Sequence, residues 1–319
     1  MKVFITTKIL DKGIELLKKQ GYEVEIGALD QNLSQKEIME KGKGADALLS
    51  QLEDVIDGRV MDAIGPQLKV IANYAVGYDN VDLQEAKKRN ILVCNTPGVL
   101  TEAVAEHTIG LLLAITRRIV EADKFTRAGK YKGFDPDLLV GVDLQEKTAG
   151  IIGHGRIGCR VADILQRAFG MKVLYYDVQR DEEKEKQCGI RYRSFQDVLQ
   201  ESDVVSLHVN LSESTRHLIG ATEFRLMKPT SYLINTARGA VVDETALVEA
   251  LKKKQIQGAA IDVFESEPTA PPGIDTLDNL VITPHIGSAS KEARDAMAEL
   301  AAQNIIAVLG KQGSAFLVQ

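Results

Sequence analysis

A strand, a glycine-rich turn and a helix follow one another without interruption at residues 148–165, and this unit constrains the fold more than any other stretch. The apolar run Thr148-Ala149-Gly150-Ile151-Ile152 leads into Gly153-His154-Gly155-Arg156-Ile157-Gly158, and Val161, Ala162, Ile164 and Leu165 continue it with helical spacing. In such a unit the first glycine turns the chain tightly and the second lets backbone approach a phosphate. The third lets helix pack on strand, and the helix N-terminus offers N–H groups to an anion. A second strand, Lys172-Val173-Leu174-Tyr175-Tyr176, ends in Asp177. An acidic residue about 20 positions beyond the glycine turn is the expected partner of ribose hydroxyls. The segment therefore reads as the opening of a dinucleotide-binding domain.

The rest of the chain keeps the same alternation. Val3–Ile5, Tyr22–Ile26, Asp46–Ser50, Lys69–Asn73 and Ile91–Cys94 read as short strands. Asp11 is placed to cap the first helix, Ser34 with Glu37 forms a capping box, and Asp82 caps a further helix. Thr101 opens a pattern that is apolar on most sides and runs as one helix to about Gly129, a candidate for burial between layers or between subunits. From Thr148 six strands are expected, at 148–153, 172–177, 203–208, 231–235, 259–263 and 280–283, the rhythm of a doubly wound sheet. Ser290 caps a last helix that can return to the first block. The expected organisation is α/β with two parallel sheets flanked by helices: residues 1–98 with 290–319 as one discontinuous domain, and 99–289 as the dinucleotide-binding domain inserted into it.

Composition narrows the class further. The chain has 319 residues, 45% hydrophobic, with a net charge of −6. That suits globular domains with proper cores and gives no basic surface for nucleic acid. No apolar run reaches the length of a membrane span, and the N-terminus reads as a strand rather than a signal peptide. Cys94, Cys159 and Cys188 are scattered, without metal-ligand spacing, and are expected as free thiols in a reducing cytoplasm.

Three motifs at expected strand ends carry chemistry. Asn235-Thr236-Ala237-Arg238-Gly239 puts Arg238 at the carboxyl edge of the sheet, where ligands bind and where an arginine can grip a carboxylate. Asp262-Val263-Phe264-Glu265-Ser266-Glu267-Pro268 offers three carboxylates, and Thr283-Pro284-His285-Ile286-Gly287 a histidine. A carboxylate bonded to one ring nitrogen fixes the tautomer and leaves the other nitrogen to move a proton. Taken singly, each has a plain alternative: a surface arginine, solvated loop acids, a structural histidine. Their shared edge with the glycine turn favours a site.

With these motifs the chain resembles the D-isomer-specific 2-hydroxyacid dehydrogenases nearly end to end. Asn73-Tyr74-Ala75-Val76-Gly77-Tyr78-Asp79-Asn80-Val81-Asp82 and Thr283–Ser290 look like the glyoxylate/hydroxypyruvate reductase branch. The resemblance implies a Rossmann-type domain inserted into a smaller flavodoxin-like substrate domain, and hydride transfer between a nicotinamide cofactor and a small 2-keto or 2-hydroxy acid; the apolar helix from Thr101 is the expected seam of a homodimer. The resemblance also implies roles for Arg238, Glu267 and His285 as catalytic residues. Leu52, Val76 and Gly77, with Arg238, would meet substrate. Gly153, Gly155, Arg156, Ile157, Gly158, Asp177, His208, Thr215, Thr236 and Asp262 would meet the cofactor, Asp262 near the nicotinamide carboxamide, and no metal is implied. Closure of the domains on the ligand is expected to exclude water. Asp177 favours NAD, while nearby Arg180 leaves room for NADP. Asn210 stands where the family usually has proline, and His154 at a commonly apolar position reads as surface filler. Phosphite dehydrogenases carry lysine where this chain has Val76, and formate dehydrogenases glutamine where it has Glu267. The alternatives left open are D-lactate or phosphite oxidation, and a catalytically weak NAD-sensing protein.

Overall fold

A computed structural model describes residues 1–274, 276–311 and 315–318. The chain divides into two compact units, Met1–Leu100 with Ala289–Gln319, and Thr101–Ser288.

The first unit begins with β1 (Lys2–Thr7), α1 (Asp11–Lys19), β2 (Glu23–Ala28), α2 (Gln35–Lys41), β3 (Ala47–Ser50), α3 (Gly58–Ile64), β4 (Val70–Asn73), α4 (Leu83–Lys88) and β5 (Leu92–Cys94). Its sheet is parallel in the order β2-β1-β3-β4-β5, the flavodoxin order. The capping box at Ser34 and Glu37 forms, and Asp82 accepts the Glu85 N–H. Asp11 does not cap α1. Leu10 holds that position without a side-chain bond, and Asp11 is the first helical residue, where its negative charge complements the helix dipole. The final helix, Lys291–Gly310, is capped by Ser290 and packs on α1 and β4. It comes so close that a Cβ on Gly13 would lie 2.4 Å from the Ala298 carbonyl oxygen.

The second unit runs α5 (Thr101–Thr116), α6 (Ile119–Arg127), β6 (Thr148–Ile152), α7 (Arg156–Phe169), β7 (Lys172–Tyr176), α8 (Glu182–Cys188), β8 (Arg191–Tyr192), α9 (Phe195–Glu201), β9 (Val204–Leu207), α10 (Ala221–Leu226), β10 (Tyr232–Asn235), α11 (Glu244–Lys252), β11 (Gly258–Ile261) and β12 (Leu280–Ile282). Its seven parallel strands are ordered β12-β11-β10-β9-β6-β7-β8, a doubly wound sheet whose order reverses between β6 and β9. Side chains alternate faces. Val204, Tyr232 and Ile234 join the core under α5 and α7, while Val205, Leu207 and Leu233 join the core on the opposite side.

The expected single helix from Thr101 to Gly129 is two helices. The Thr116 hydroxyl bonds back to the Leu112 carbonyl at 2.7 Å, and Val142 N–H takes the Thr116 carbonyl at 3.0 Å. A continuing helix would need that carbonyl four residues on. Arg118 then turns left-handed, φ +54°, and pairs with Glu121. Among the described residues, no helix is long and apolar enough to cross a membrane.

Candidate active site

Register alone assembles the site. Ile152 pairs with Tyr176 and Leu207, Leu207 with Asn235, Asn235 with Ile261, and Ile261 with Ile282. The residue after each strand therefore falls in one row across the carboxyl edge: Asp177, Gly153, His208, Thr236, Asp262 and Thr283.

The glycine turn is built for close approach. Gly153 has φ +92°, and a Cβ there would lie 2.6 Å from the His208 carbonyl. A Cβ on Gly158 would lie 2.1 Å from the Gly153 oxygen, so α7 can start this near β6 only with glycine. Gly155 caps α7 without a side-chain bond, and a Cβ on it would meet no atom within 4 Å. The first-turn amides of Arg156, Ile157 and Gly158 have no acceptor inside their own helix. Beside them, Asp177 Oδ2 accepts His154 N–H at 2.7 Å and Oδ1 accepts Gln179 N–H at 3.3 Å, which leaves lone pairs for hydroxyls. An open glycine N-terminus and a fixed acidic acceptor one strand over fit a dinucleotide.

Arg180 is already committed. It grips Glu185 through two bonds of 2.7 and 3.1 Å, lies near Glu182, and covers the Tyr192 ring. Its charge is compensated before any phosphate arrives. His154 is no surface filler: it is 6% exposed, with its ring 4.5 Å from that of Tyr175, and burial, then Lys184, push its pKa down.

His208 bonds Ser206 Oγ through Nε2 at 2.9 Å, and desolvation, helped by His154, drives its pKa to about 3, so the ring is neutral. Thr215 ties its own loop together, donating to the Asn210 carbonyl at 2.7 Å and accepting from Ser212 N–H. The Thr108 hydroxyl donates to the Val104 carbonyl, so Thr236, 2.9 Å away, donates to Thr108.

Arg238 follows β10 in extended conformation, and its carbonyl is held by the Asn235 side-chain amide at 3.0 Å. A Cβ on Gly239 would lie 1.9 Å from the Phe264 carbonyl carbon. The Asn-Thr-Ala-Arg-Gly segment thus lies directly on the backbone that leads to Glu267. Glu267 Oε1 accepts Phe264 N–H at 3.0 Å, and Oε2 lies 2.7 Å from His285 Nδ1. The pair leaves His285 Nε2 for proton exchange.

His285 is left-handed, φ +52°. That conformation costs roughly 1–3 kcal/mol for a non-glycine residue. Asp262 holds it. Its backbone oxygen accepts His285 N–H at 2.8 Å, Oδ1 accepts Ile286 N–H at 2.9 Å, and Oδ2 accepts Gly287 N–H at 2.7 Å. Bonds to a charged acceptor are worth about 1.5–3 kcal/mol each, enough to outweigh the strain. Asp262 is 1% exposed. Burial raises its pKa, but bonds from His107, Thr283 and Ile286 N–H prevail and hold it below the usual carboxylate range.

The motifs pass over three residues near this centre. His107 reaches Asp262, His217 Nε2 lies 2.7 Å from Glu265 Oε1, and Glu244 accepts Glu265 N–H at 2.7 Å. Burial pushes the Glu244 pKa up, and the charges of Glu265 and Glu267 add to that against the opposing Glu265 N–H bond.

In the first unit, Ala75 and Val76 carbonyls are held by Thr96 N–H and the Asn95 amide, both at 2.8 Å. The N–H groups of Val76 and Gly77 belong to those two peptide planes, so their directions are fixed. Leu52 sits in the half-buried turn after β3. Among the described residues, no group of three or more His, Cys, Asp or Glu side chains can hold a metal.

A seven-stranded doubly wound sheet, a glycine turn that fits a dinucleotide, and a histidine–carboxylate pair on the same edge define a dinucleotide-dependent oxidoreductase. Residues 109–287 match the D-isomer specific 2-hydroxyacid dehydrogenase, NAD binding domain family. Glyoxylate reductase of Thermococcus litoralis is 48% identical over 310 residues, covering 96% of this chain and 93% of that protein. A crystal structure of a protein from Thermus thermophilus superposes with a TM-score of 0.93 at 43% identity, covering 100% of both chains. An NADPH-dependent glyoxylate/hydroxypyruvate reductase of Sinorhizobium meliloti, solved with NADP and malonate, gives 0.88 at 32% identity, covering 99% of this chain and 96% of that one. The chain belongs to the D-isomer-specific 2-hydroxyacid dehydrogenases, NAD(P)-dependent oxidoreductases.

Proposed function

We propose that this protein reduces glyoxylate or hydroxypyruvate to the corresponding (D-)2-hydroxy acid with NADH. The observation that carries the reading is the 2.7 Å contact between His285 Nδ1 and Glu267, on the sheet edge that also bears Arg238. The likeness to proteins named glyoxylate reductase supports the substrate. The nicotinamide supplies the hydride. Arg238 grips the substrate carboxylate and faces the charge that grows on the carbonyl oxygen as hydride arrives. Protonated His285 gives its Nε2 proton to that oxygen, and Glu267 stabilises the imidazolium and keeps the proton on Nδ1 afterwards. The oriented N–H groups of Val76 and Gly77 serve as carboxylate contacts, with Leu52 as an apolar wall. Thr236 and Asp262 meet the nicotinamide end, His208 and Thr215 other parts of the cofactor, and the α7 N-terminus the pyrophosphate.

Asp177 sets the cofactor preference, since its carboxylate accepts ribose hydroxyls and repels a 2′-phosphate. Arg180, neutralised by Glu185, does little to soften that repulsion. Asp177→Ala is expected to bring the kcat/KM values for NADH and NADPH to within about tenfold of each other, chiefly by weakening NADH. Equal efficiencies in the native chain would remove the basis for the preference.

A homodimer in the cytoplasm completes the reading. It is supported by the apolar side chains exposed between residues 119 and 140, with Phe134 92% and Val140 61% exposed. The deciding experiment follows NADH consumption with glyoxylate, hydroxypyruvate, pyruvate and a bulkier 2-keto acid, alongside the mass of the active species by sedimentation. Preference for the first two supports the proposal. Turnover of pyruvate or larger acids alone moves the chain to a lactate-type activity, and tight NADH binding without turnover makes it a sensor. A monomeric active species removes the dimer.

A further inference from the structure

His107 lies outside every motif, yet its ring reaches the turn that carries His285. Its Nε2 is 3.1 Å from Thr283 Oγ1 and 3.2 Å from Asp262 Oδ1, and its side chain is 20% exposed. Counting donors settles the tautomer. An ionised carboxylate only accepts, and Thr283 gives its single hydroxyl proton to Asp262 Oδ1 at 2.6 Å. The threonine oxygen therefore faces His107 as an acceptor. A ring nitrogen set between two acceptors must carry a proton, so His107 is the Nε2–H form.

The carboxylate it touches is the anchor of the turn. Asp262 takes Ile286 N–H on Oδ1, the oxygen that also meets Thr283 and His107, and Gly287 N–H on Oδ2. A Cβ on residue 287 would lie 3.0 Å from Oδ2, so the close Gly287 bond depends on glycine. The next residue of α5, Thr108, holds Thr236 in the neighbouring loop. Two consecutive helical residues thus brace the loops after β10 and β12.

We propose that His107 is a positioning residue for proton transfer: by donating to Thr283 and Asp262 together, it locks residues 283–287 and so fixes the direction of the His285 ring. It touches neither substrate nor the reacting atoms. The proposal rests on His285 as the proton donor, and it departs from the simpler role of a core histidine whose hydrogen bonds only fill space.

Full-length His107→Leu, His107→Gln and Thr283→Val variants test it with two readouts: steady-state kinetics, and amide hydrogen exchange at Ile286 and Gly287 in the cofactor-free protein. His107→Leu should lower kcat roughly tenfold, as a small misplacement of the proton donor does, with KM for NADH within about twofold of native. Exchange at both amides should quicken. Glutamine, whose side-chain amide can donate from nearly the same place, should restore most of both properties. Thr283→Val should reproduce the loss if the leucine variant does not fold. Native kcat and native exchange in His107→Leu, or an equal loss in His107→Gln, would overturn the proposal. Should the native chain turn over no 2-keto acid, the reading of the site fails on its own, while exchange at the two amides still decides whether His107 locks the turn.

Discussion

Replacing His285 with asparagine is expected to lower kcat for 2-keto acid reduction by roughly 10²–10⁴-fold, the span of a lost general acid. Asparagine tolerates the left-handed backbone that His285 adopts, so the turn should survive and the loss should report the proton donor. NADH affinity, read by fluorescence titration, should stay within about twofold, because the glycine turn and Asp177 are untouched. Glu267→Gln should be milder. It keeps an acceptor for Nδ1–H but removes the charge that favours the imidazolium. A fall in kcat below tenfold for His285→Asn would mean that water or another side chain delivers the proton.

Arg238→Lys is expected to cut kcat/KM for the keto acid by roughly 10²–10³-fold, comparable to removing one electrostatic stabiliser of a developing oxyanion. Lysine keeps the charge but not the planar fork that meets a carboxylate with two parallel bonds. The short strand-end loop, pinned by Gly239 against the Phe264 backbone, gives the shorter donor set little freedom to compensate. The loss should fall on KM for the keto acid and on kcat together, with NADH binding preserved. An unchanged KM would remove Arg238 from the substrate site.

Every strand but β8 is legible, because each is a short apolar run bounded by turn residues and because a parallel sheet aligns every strand end on one edge; β8 is only the pair Arg191-Tyr192, with no apolar run to announce it, so six strands are expected where the sheet has seven. Once 153, 177, 208, 236, 262 and 283 are placed directly after strands, the row across the second sheet follows from register. The helix break at Thr116 was not legible. No glycine or proline marks it, and its cause is a carbonyl captured by Val142 from a distant loop. The burial of His154 is hidden for a similar reason, since it depends on Tyr175, which lies on the neighbouring strand. The motif shows Asp262 as one of three carboxylates and the resemblance puts it near the nicotinamide carboxamide, but nothing local announces that His107, 155 positions earlier, spends a ring N–H on it. Contacts that bridge separate elements leave no periodicity to read.

The placement of the final helix has a consequence for how the chain comes into being. A ribosome completes residues 101–288 before it makes the helix that packs on α1 and β4. At about 5–20 residues per second, the first unit waits roughly ten to forty seconds with those apolar faces uncovered. The inserted unit, whole as soon as it emerges, should therefore be the first to acquire protease resistance on a nascent chain. Residues 1–100, made before the inserted unit, should be secured after it.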